Sequence, residues 1–270
     1  MPKIVACIIV RTVSKRLPLK VLRDLYPYVS MIDFLIQRIK SVKEIDEVYI
    51  CTSKEPADDI LEDIAKRNGI KIYKGSADEV IERMVTVGEV EKADIILRIT
   101  GDNPFTSIEY IPKQINFLIE QKLDYVRIVD VPIGATAEVI NFEALKTCYK
   151  EIDPAISEYL MFFLFEPNNY KCGIIKVFDK DYSHYSLTVD TMPDLERTKQ
   201  LLSLLNNKSA DGIMLSDVIE LYNDENIVFP AKTFYGSGTI KMPYDKVISF
   251  EEFQSDMERR KNTSFSLQLY

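Results

Sequence analysis

Histidine is almost missing from this chain: His184 stands alone among 270 residues. The four cysteines, Cys7, Cys51, Cys148 and Cys172, are scattered with no close pair. Neither a zinc site of the usual Cys/His spacing nor a disulfide framework is therefore expected, and the cysteines read as reduced core residues. Long apolar runs are lacking too. The strongest, residues 4–10, is strand-sized, whereas a membrane-spanning helix needs roughly 20 residues. A single Lys3 before that run, with no small-residue cleavage site after it, makes a signal peptide unexpected. A cytoplasmic protein without membrane insertion is the expectation. Excess positive charge is also absent. The formal net charge of −8 argues against nucleic acid as a partner through a broad basic surface, but leaves room for a local cluster of cations around a small anion.

What is present is ordinary globular material, with 46% hydrophobic and 28% charged residues, so disorder and fibrous repeats are poor starting points. The length suits one large α/β domain, or one with a small insertion. Residues 3–10, 47–53, 70–73 and 94–100 are β-rich. Between them, residues 30–40, 56–68 and 76–90 carry apolar positions at helical spacing, and Asn68-Gly69 supplies a helix stop. That βαβαβαβ rhythm predicts a Rossmann-like, doubly wound, mostly parallel sheet. After Val126 the rhythm changes. Residues 131–140, with Pro132 and Gly134, read as a turn into a strand. Residues 142–149 and 156–165 read as helices, 170–178 and 187–189 as strands, and 193–205 and 215–222 as helices. The expected organisation is a main domain over residues 1–223, with an insert near 130–185 as a second lobe or subunit contact, and a polar C-terminal extension over 224–270 that includes Gly236-Ser237-Gly238. The aromatic run in residues 160–165 predicts a homodimer surface or, equally, a helix buried within one subunit.

The segment richest in chemistry is Arg11-Thr12-Val13-Ser14-Lys15-Arg16-Leu17-Pro18-Leu19-Lys20. It follows the first expected strand, where an open α/β sheet presents its ligand crevice. Guanidinium groups bind phosphate oxygens in bidentate fashion, and a lysine adds a compact point charge. Charge alone would equally describe a solvated basic turn. Asp102 follows the apolar run 95–99 and so ends a buried strand, although a turn aspartate before Pro104 has the same appearance. Asp190 precedes Thr191-Met192-Pro193-Asp194, a helix-start pattern, and could serve only that start.

The order of these segments resembles the CMP-sugar synthetases, the acylneuraminate and 3-deoxy-manno-octulosonate cytidylyltransferases, whose signature reads Arg-x-x-Ser-x-Arg-Leu-Pro-Gly-Lys. It is closer to the spore-coat polysaccharide cytidylyltransferase group. Further segments match in order: Asp46-Glu47-Val48 leading to Thr52, Gly75-Ser76 with 78–83, residues 98–104, Asp124-Tyr125-Val126, Pro132-x-Gly134 with Glu138-Val139, and 187–191. The resemblance implies a fold of the nucleotide-diphospho-sugar transferase type and transfer of CMP from CTP to a sugar, sugar acid or sugar phosphate, with Mg2+ as cofactor. It implies a phosphate-binding role for Arg11, Ser14, Arg16 and Lys20, with Lys20, Arg11 and Arg16 acting in catalysis, and metal binding by Asp102 and Asp190. Arg83, Arg98 and Asp102 fall near the nucleotide, Glu138 and Glu158 near the acceptor.

Three segments depart from the pattern: Leu19 replaces a glycine, Tyr159 a histidine, and Ala135-Thr136-Ala137 a more polar stretch. Leu19 and Tyr159 keep open a non-catalytic nucleotide binder, and the Rossmann-like fold keeps open a glycosyltransferase. The only Asp-x-Asp, Asp179-Lys180-Asp181, lies outside the family's metal positions.

Overall fold

In the computed structural model, which describes residues 2–233 and 239–270 without the side chains of residues 158 and 159, the β-branched runs assemble into one central sheet. Its strands are β1 (Ile4–Ile9), β2 (Glu47–Ser53), β3 (Lys71–Gly75), β4 (Ile95–Thr100), β5 (Tyr125–Val129), β6 (Glu138–Asn141), β7 (Cys172–Lys176) and β8 (Phe265–Gln268). Their spatial order is β8-β7-β5-β6-β4-β1-β2-β3. Only β6 runs antiparallel, between β4 and β5; the other neighbours pair in parallel.

Alternate residues of each strand point to opposite faces, and both faces are apolar, as a sheet covered on both sides requires. One face carries Ala6, Ile8, Ile50, Leu97 and Ile128 against helices α1 (Met31–Lys40), α2 (Ile60–Asn68), α4 (Ile111–Gln121), α7 (Met192–Leu204) and α8 (Leu215–Asn223). The other carries Val5, Cys7, Cys51, Ile96 and Tyr125 against α3 (Val80–Glu91), α5 (Phe142–Glu151) and α6 (Leu160–Leu164). All four cysteines are buried and free, as expected of core thiols.

Several expectations need correction. Residues 56–68 are not one helix, because a 3-10 turn at Pro56–Asp58 precedes α2. The expected strand at 187–189 joins no ladder; its amides bond singly, Leu187 N to the Ile133 carbonyl and Val189 N to that of Asp102. Helix α4 went unread. Residues 130–185 supply two strands to the sheet itself, β6 between β4 and β5 and β7 between β5 and the edge strand. Within 224–270, helix α9 (Phe250–Asn262) and β8 pack onto the same body, β8 extending the sheet beside β7. Residues 236–238 lie outside the described residues.

Candidate active site

The strand order locates the crevice. From β1 the chain winds outward through β2 and β3, then crosses back to β4 on the other side of β1. Loops leaving β1 and β4 must therefore diverge at their carboxyl ends, which is where open α/β sheets bind ligands. The basic loop leaves β1, and Gly101-Asp102-Asn103 leaves β4.

The loop is held at its root. Thr12 is buried, and its amide and hydroxyl both donate to Asp58 Oδ1 at 2.7 Å. Burial pushes the Asp58 pKa upward, yet the hydrogen bonds from Ser53 and Thr12 outweigh it and hold the carboxyl below its usual range. Leu17 sinks into the core, and the Leu17 amide donates to Ser14 Oγ at 3.3 Å. Leu19 then takes a left-handed backbone, φ 56° and ψ 28°, with its side chain 53% exposed. The glycine-type turn of the resembling signature thus survives with leucine in it, at a strain of roughly 1–2 kcal/mol. The turn starts a 3-10 segment, Lys20–Leu22, that brings Lys20 to the crevice.

Two other devices bring the acids there. Gly101 has no side chain because Val10 is too close: a Cβ at 101 would lie 2.7 Å from Val10 Cβ. The backbone of Val189 donates to the Asp102 carbonyl at 2.9 Å, which seats the 187–190 segment against the β4 loop. Asp190 follows directly. Behind it α7 begins as its sequence pattern foretold, with Thr191 N and Oγ1 donating to Asp194 Oδ2 at 2.8 and 2.7 Å. The buried Arg197 binds Asp194 at 2.9 Å and the Thr188 carbonyl at 2.6 Å.

Lys20 Nζ consequently lies 2.7 Å from Asp102 Oδ2 and 2.8 Å from Asp190 Oδ1, and Arg16 Nη2 lies 2.8 Å from the same Asp190 oxygen. Lys20 is 11% exposed and Arg16 66%. Burial works to lower the Lys20 pKa, but the two carboxylates outweigh it and raise the ammonium above its ordinary value. Both acids present hard anionic oxygens to one cation, the donor type magnesium takes. Among the described residues no set of three or more metal-ligating side chains gathers. A bound Mg2+ would thus take two protein ligands and draw the rest from phosphate and water, which fits an ion that dehydrates reluctantly.

The remaining expected residues divide. Arg11 joins the loop to the segment before α3, its Nη1 donating to the Ala77 carbonyl at 3.2 Å while its buried Nε has no partner. Arg83, expected at the nucleotide, is fully buried and donates to the Cys51 carbonyl at 3.2 Å. Glu138, expected at the acceptor, is also buried. Its oxygens are taken by Arg98 Nη1 at 2.7 Å and Tyr125 Oη at 3.0 Å. The side chains of Glu158 and Tyr159 lie outside the described residues. Asp181 accepts from the Ser183 amide at 2.7 Å, an ordinary turn bond. His184 sits against Tyr185, ring centres 4.0 Å apart. The aromatic run 160–165 is covered from within the chain: Phe162 meets Phe253 of α9 and Phe163 meets Tyr244. Arg260 of α9 also donates to the Phe162 carbonyl at 3.0 Å. Leu160, Leu164 and Phe165 are buried, while Met161, Phe162 and Phe163 stay partly exposed.

Asp58, Asp194 and Arg197 were missed. Asp58 is one acid in the polar run 54–59, and nothing in its spacing marks burial. In the sequence Asp194 shows only as a helix-start acid, whereas it also anchors Arg197 beneath Asp190.

A family model described as cytidylyltransferase matches residues 5–208. The chain is 32% identical over 230 residues to the spore coat polysaccharide biosynthesis protein SpsF of Bacillus subtilis, covering 78% of this chain and 90% of that protein. Among solved structures, a cytidylyltransferase from Leptospira borgpetersenii superposes with a TM-score of 0.79 at 24% identity, covering 87% of this chain and 100% of that one. A CMP:2-keto-3-deoxy-manno-octonic acid synthetase complexed with CTP superposes with a TM-score of 0.60 at 18% identity, covering 75% and 99%. Both superpositions bear on the fold alone.

Proposed function

Because the chain belongs to the cytidylyltransferase family, we propose that it transfers CMP from CTP to a sugar, sugar acid or sugar phosphate, releasing pyrophosphate, in the synthesis of a surface polysaccharide. The observation that carries this reading is the meeting of Lys20 with Asp102 and Asp190, side chains drawn from three distant parts of the sequence. As part of the same reading the enzyme works in the cytoplasm, where nucleoside triphosphates are held. No helix among the described residues is long and apolar enough to cross a membrane.

The reaction is an in-line displacement. An acceptor oxygen forms a bond to the α-phosphorus, the bond from that phosphorus to the oxygen bridging to the β-phosphate breaks, and pyrophosphate leaves with the electron pair. Lys20 and Arg16 face the leaving phosphates and neutralise the charge that grows on them; Arg11 steadies the loop that carries both. Positioning and charge neutralisation of this kind account for most of the catalysis in phosphoryl-type transfer. Asp102 and Asp190 would hold Mg2+, which supplies further positive charge to the phosphate oxygens when bound. An acceptor already ionised, such as a sugar phosphate, needs no general base.

Leu19 favours an active enzyme over a silent relative, since it keeps the left-handed turn that presents Lys20. The test is pyrophosphate release with CTP, UTP, GTP or ATP, each with Mg2+ and a panel of sugar acids and sugar phosphates. CTP-dependent release with at least one acceptor is expected. Folded protein that releases none with any nucleotide would overturn the proposal.

A further inference from the structure

The contacts at the crevice impose an order on its ligands. Asp102 Oδ2 and Asp190 Oδ1 both point at the Lys20 ammonium, at 2.7 and 2.8 Å, and Arg16 adds a second cation to Asp190 at 2.8 Å. Two carboxylates and two cations leave no net charge to attract a divalent ion. The ammonium also fills the point on which the carboxylate oxygens converge. With no third metal-ligating side chain in the group among the described residues, an arriving ion would have to displace Lys20 from both partners and be held by two ligands only. Phosphate oxygens change this balance. A triphosphate offers Lys20 and Arg16 alternative anionic partners within the same crevice, and each cation drawn to it returns a carboxylate charge to the pair.

We infer that Lys20 is an internal counter-ion that keeps the place of the divalent cation until nucleotide arrives, so that metal and nucleotide bind with strong positive coupling. The inference rests on the nucleotidyl-transfer reading for the identity of the anion. By linkage the coupling is reciprocal: the nucleotide raises metal affinity by the factor by which metal raises nucleotide affinity. The nucleotide-free protein holds metal weakly, and Lys20 serves two anions in turn, first the acid pair and then the phosphates.

The test needs no turnover. Mn2+ binding to the full chain, free of nucleotide, is measured by the loss of the free-ion paramagnetic resonance signal. The arms are the wild type, Lys20→Met and Lys20→Arg. Lys20→Met removes the counter-ion and should bind Mn2+ at least about ten-fold tighter than wild type, a size within the usual range of site-to-site coupling. Lys20→Arg retains the charge and should stay near wild type, which controls for damage to the fold. Equal affinity in wild type and Lys20→Met, at whatever strength, overturns the inference. A separate arm distinguishes failure of the site itself: in the Lys20→Met chain, adding Asp102→Asn should abolish the tightening. Tightening that survives means that the ion is bound elsewhere, and the assignment to this acid pair falls with it.

Discussion

The two sides of the crevice treat charge in opposite ways. On the side proposed for the phosphates Lys20, Arg16, Asp102 and Asp190 hold one another at its mouth, each 11–66% exposed at the side chain. On the side where an acceptor was expected, Arg98, Glu138 and Tyr125 hold one another under cover, at 14% exposure or less. The first set can exchange partners, because water reaches it and can receive the released charge. The second cannot, because breaking it strands a charge in a medium that solvates it poorly. Occupying a family position is thus not enough to make a charged residue a ligand contact; it must also be free to leave its present partner.

The largest expected effect tests the covered set. Glu138→Ala should cost about 3–5 kcal/mol of stability, the usual penalty for removing one member of a buried pair, read by urea denaturation. An unchanged denaturation midpoint with a raised KM for acceptor would return Glu138 to the binding role. Next comes the open set. Lys20→Ala and Asp102→Asn should each lower kcat by about 10²–10³, as for other removed charge-stabilising groups, with little loss of fold; near-normal rates would exclude these residues from catalysis.

The comparison sharpens at Asp58, which belongs to the phosphate side yet is buried like the other set. Asp58→Ala leaves the Thr12 amide without its partner, a cost of about 1–3 kcal/mol, and should loosen the loop enough to raise KM for CTP. Its pH dependence has a definite sign. The folded carboxyl lies below its ordinary value, so its stabilisation is complete above about pH 4 and is lost as pH falls through the folded pKa. Asp58→Asn should therefore flatten the acid limb of the stability curve; an identical limb would remove Asp58 from that account. The smallest effect belongs to Leu19. Leu19→Gly relieves strain of about 1–2 kcal/mol against a backbone-entropy cost of about 0.5–1 kcal/mol. A slightly higher Tm with activity retained is expected, and a lower Tm would mean that the leucine side chain contributes packing of its own.

Legibility in the sequence followed the same division. The first four strands, the basic loop and both acids could be read because their signals are local: β-branched runs, a dense cluster of cations, acids at strand ends. Arg83 and Glu138 occupy the right positions, but burial is decided by neighbours far along the chain, and a linear pattern does not carry it. Helix α9 was unreadable for another reason. Arg259 meets Glu166 with two hydrogen bonds, at 3.1 and 2.8 Å, Arg260 reaches the same carboxylate at 3.1 Å, and Lys261 reaches Asp130 at 2.8 Å. With only Phe250, Phe253 and Met257 on its apolar side and ion pairs beside them, the helix shows a stripe too narrow for a periodicity reading to mark. Strand β8 is four residues at an edge, too short for alternation to mark.

The bare α-carbon at position 101 acts as a gauge block. Because Val10 already fills the space where a side chain would stand, the spacing between the first and fourth strands at their exits is set by the absence of one methyl group. Everything mounted beyond those exits inherits that spacing. An alanine there would touch no substrate, yet it would wedge the two mountings apart, and a misplacement on the order of 1 Å can slow an enzyme about a hundredfold. The calibration of the machine resides in an atom it does not have.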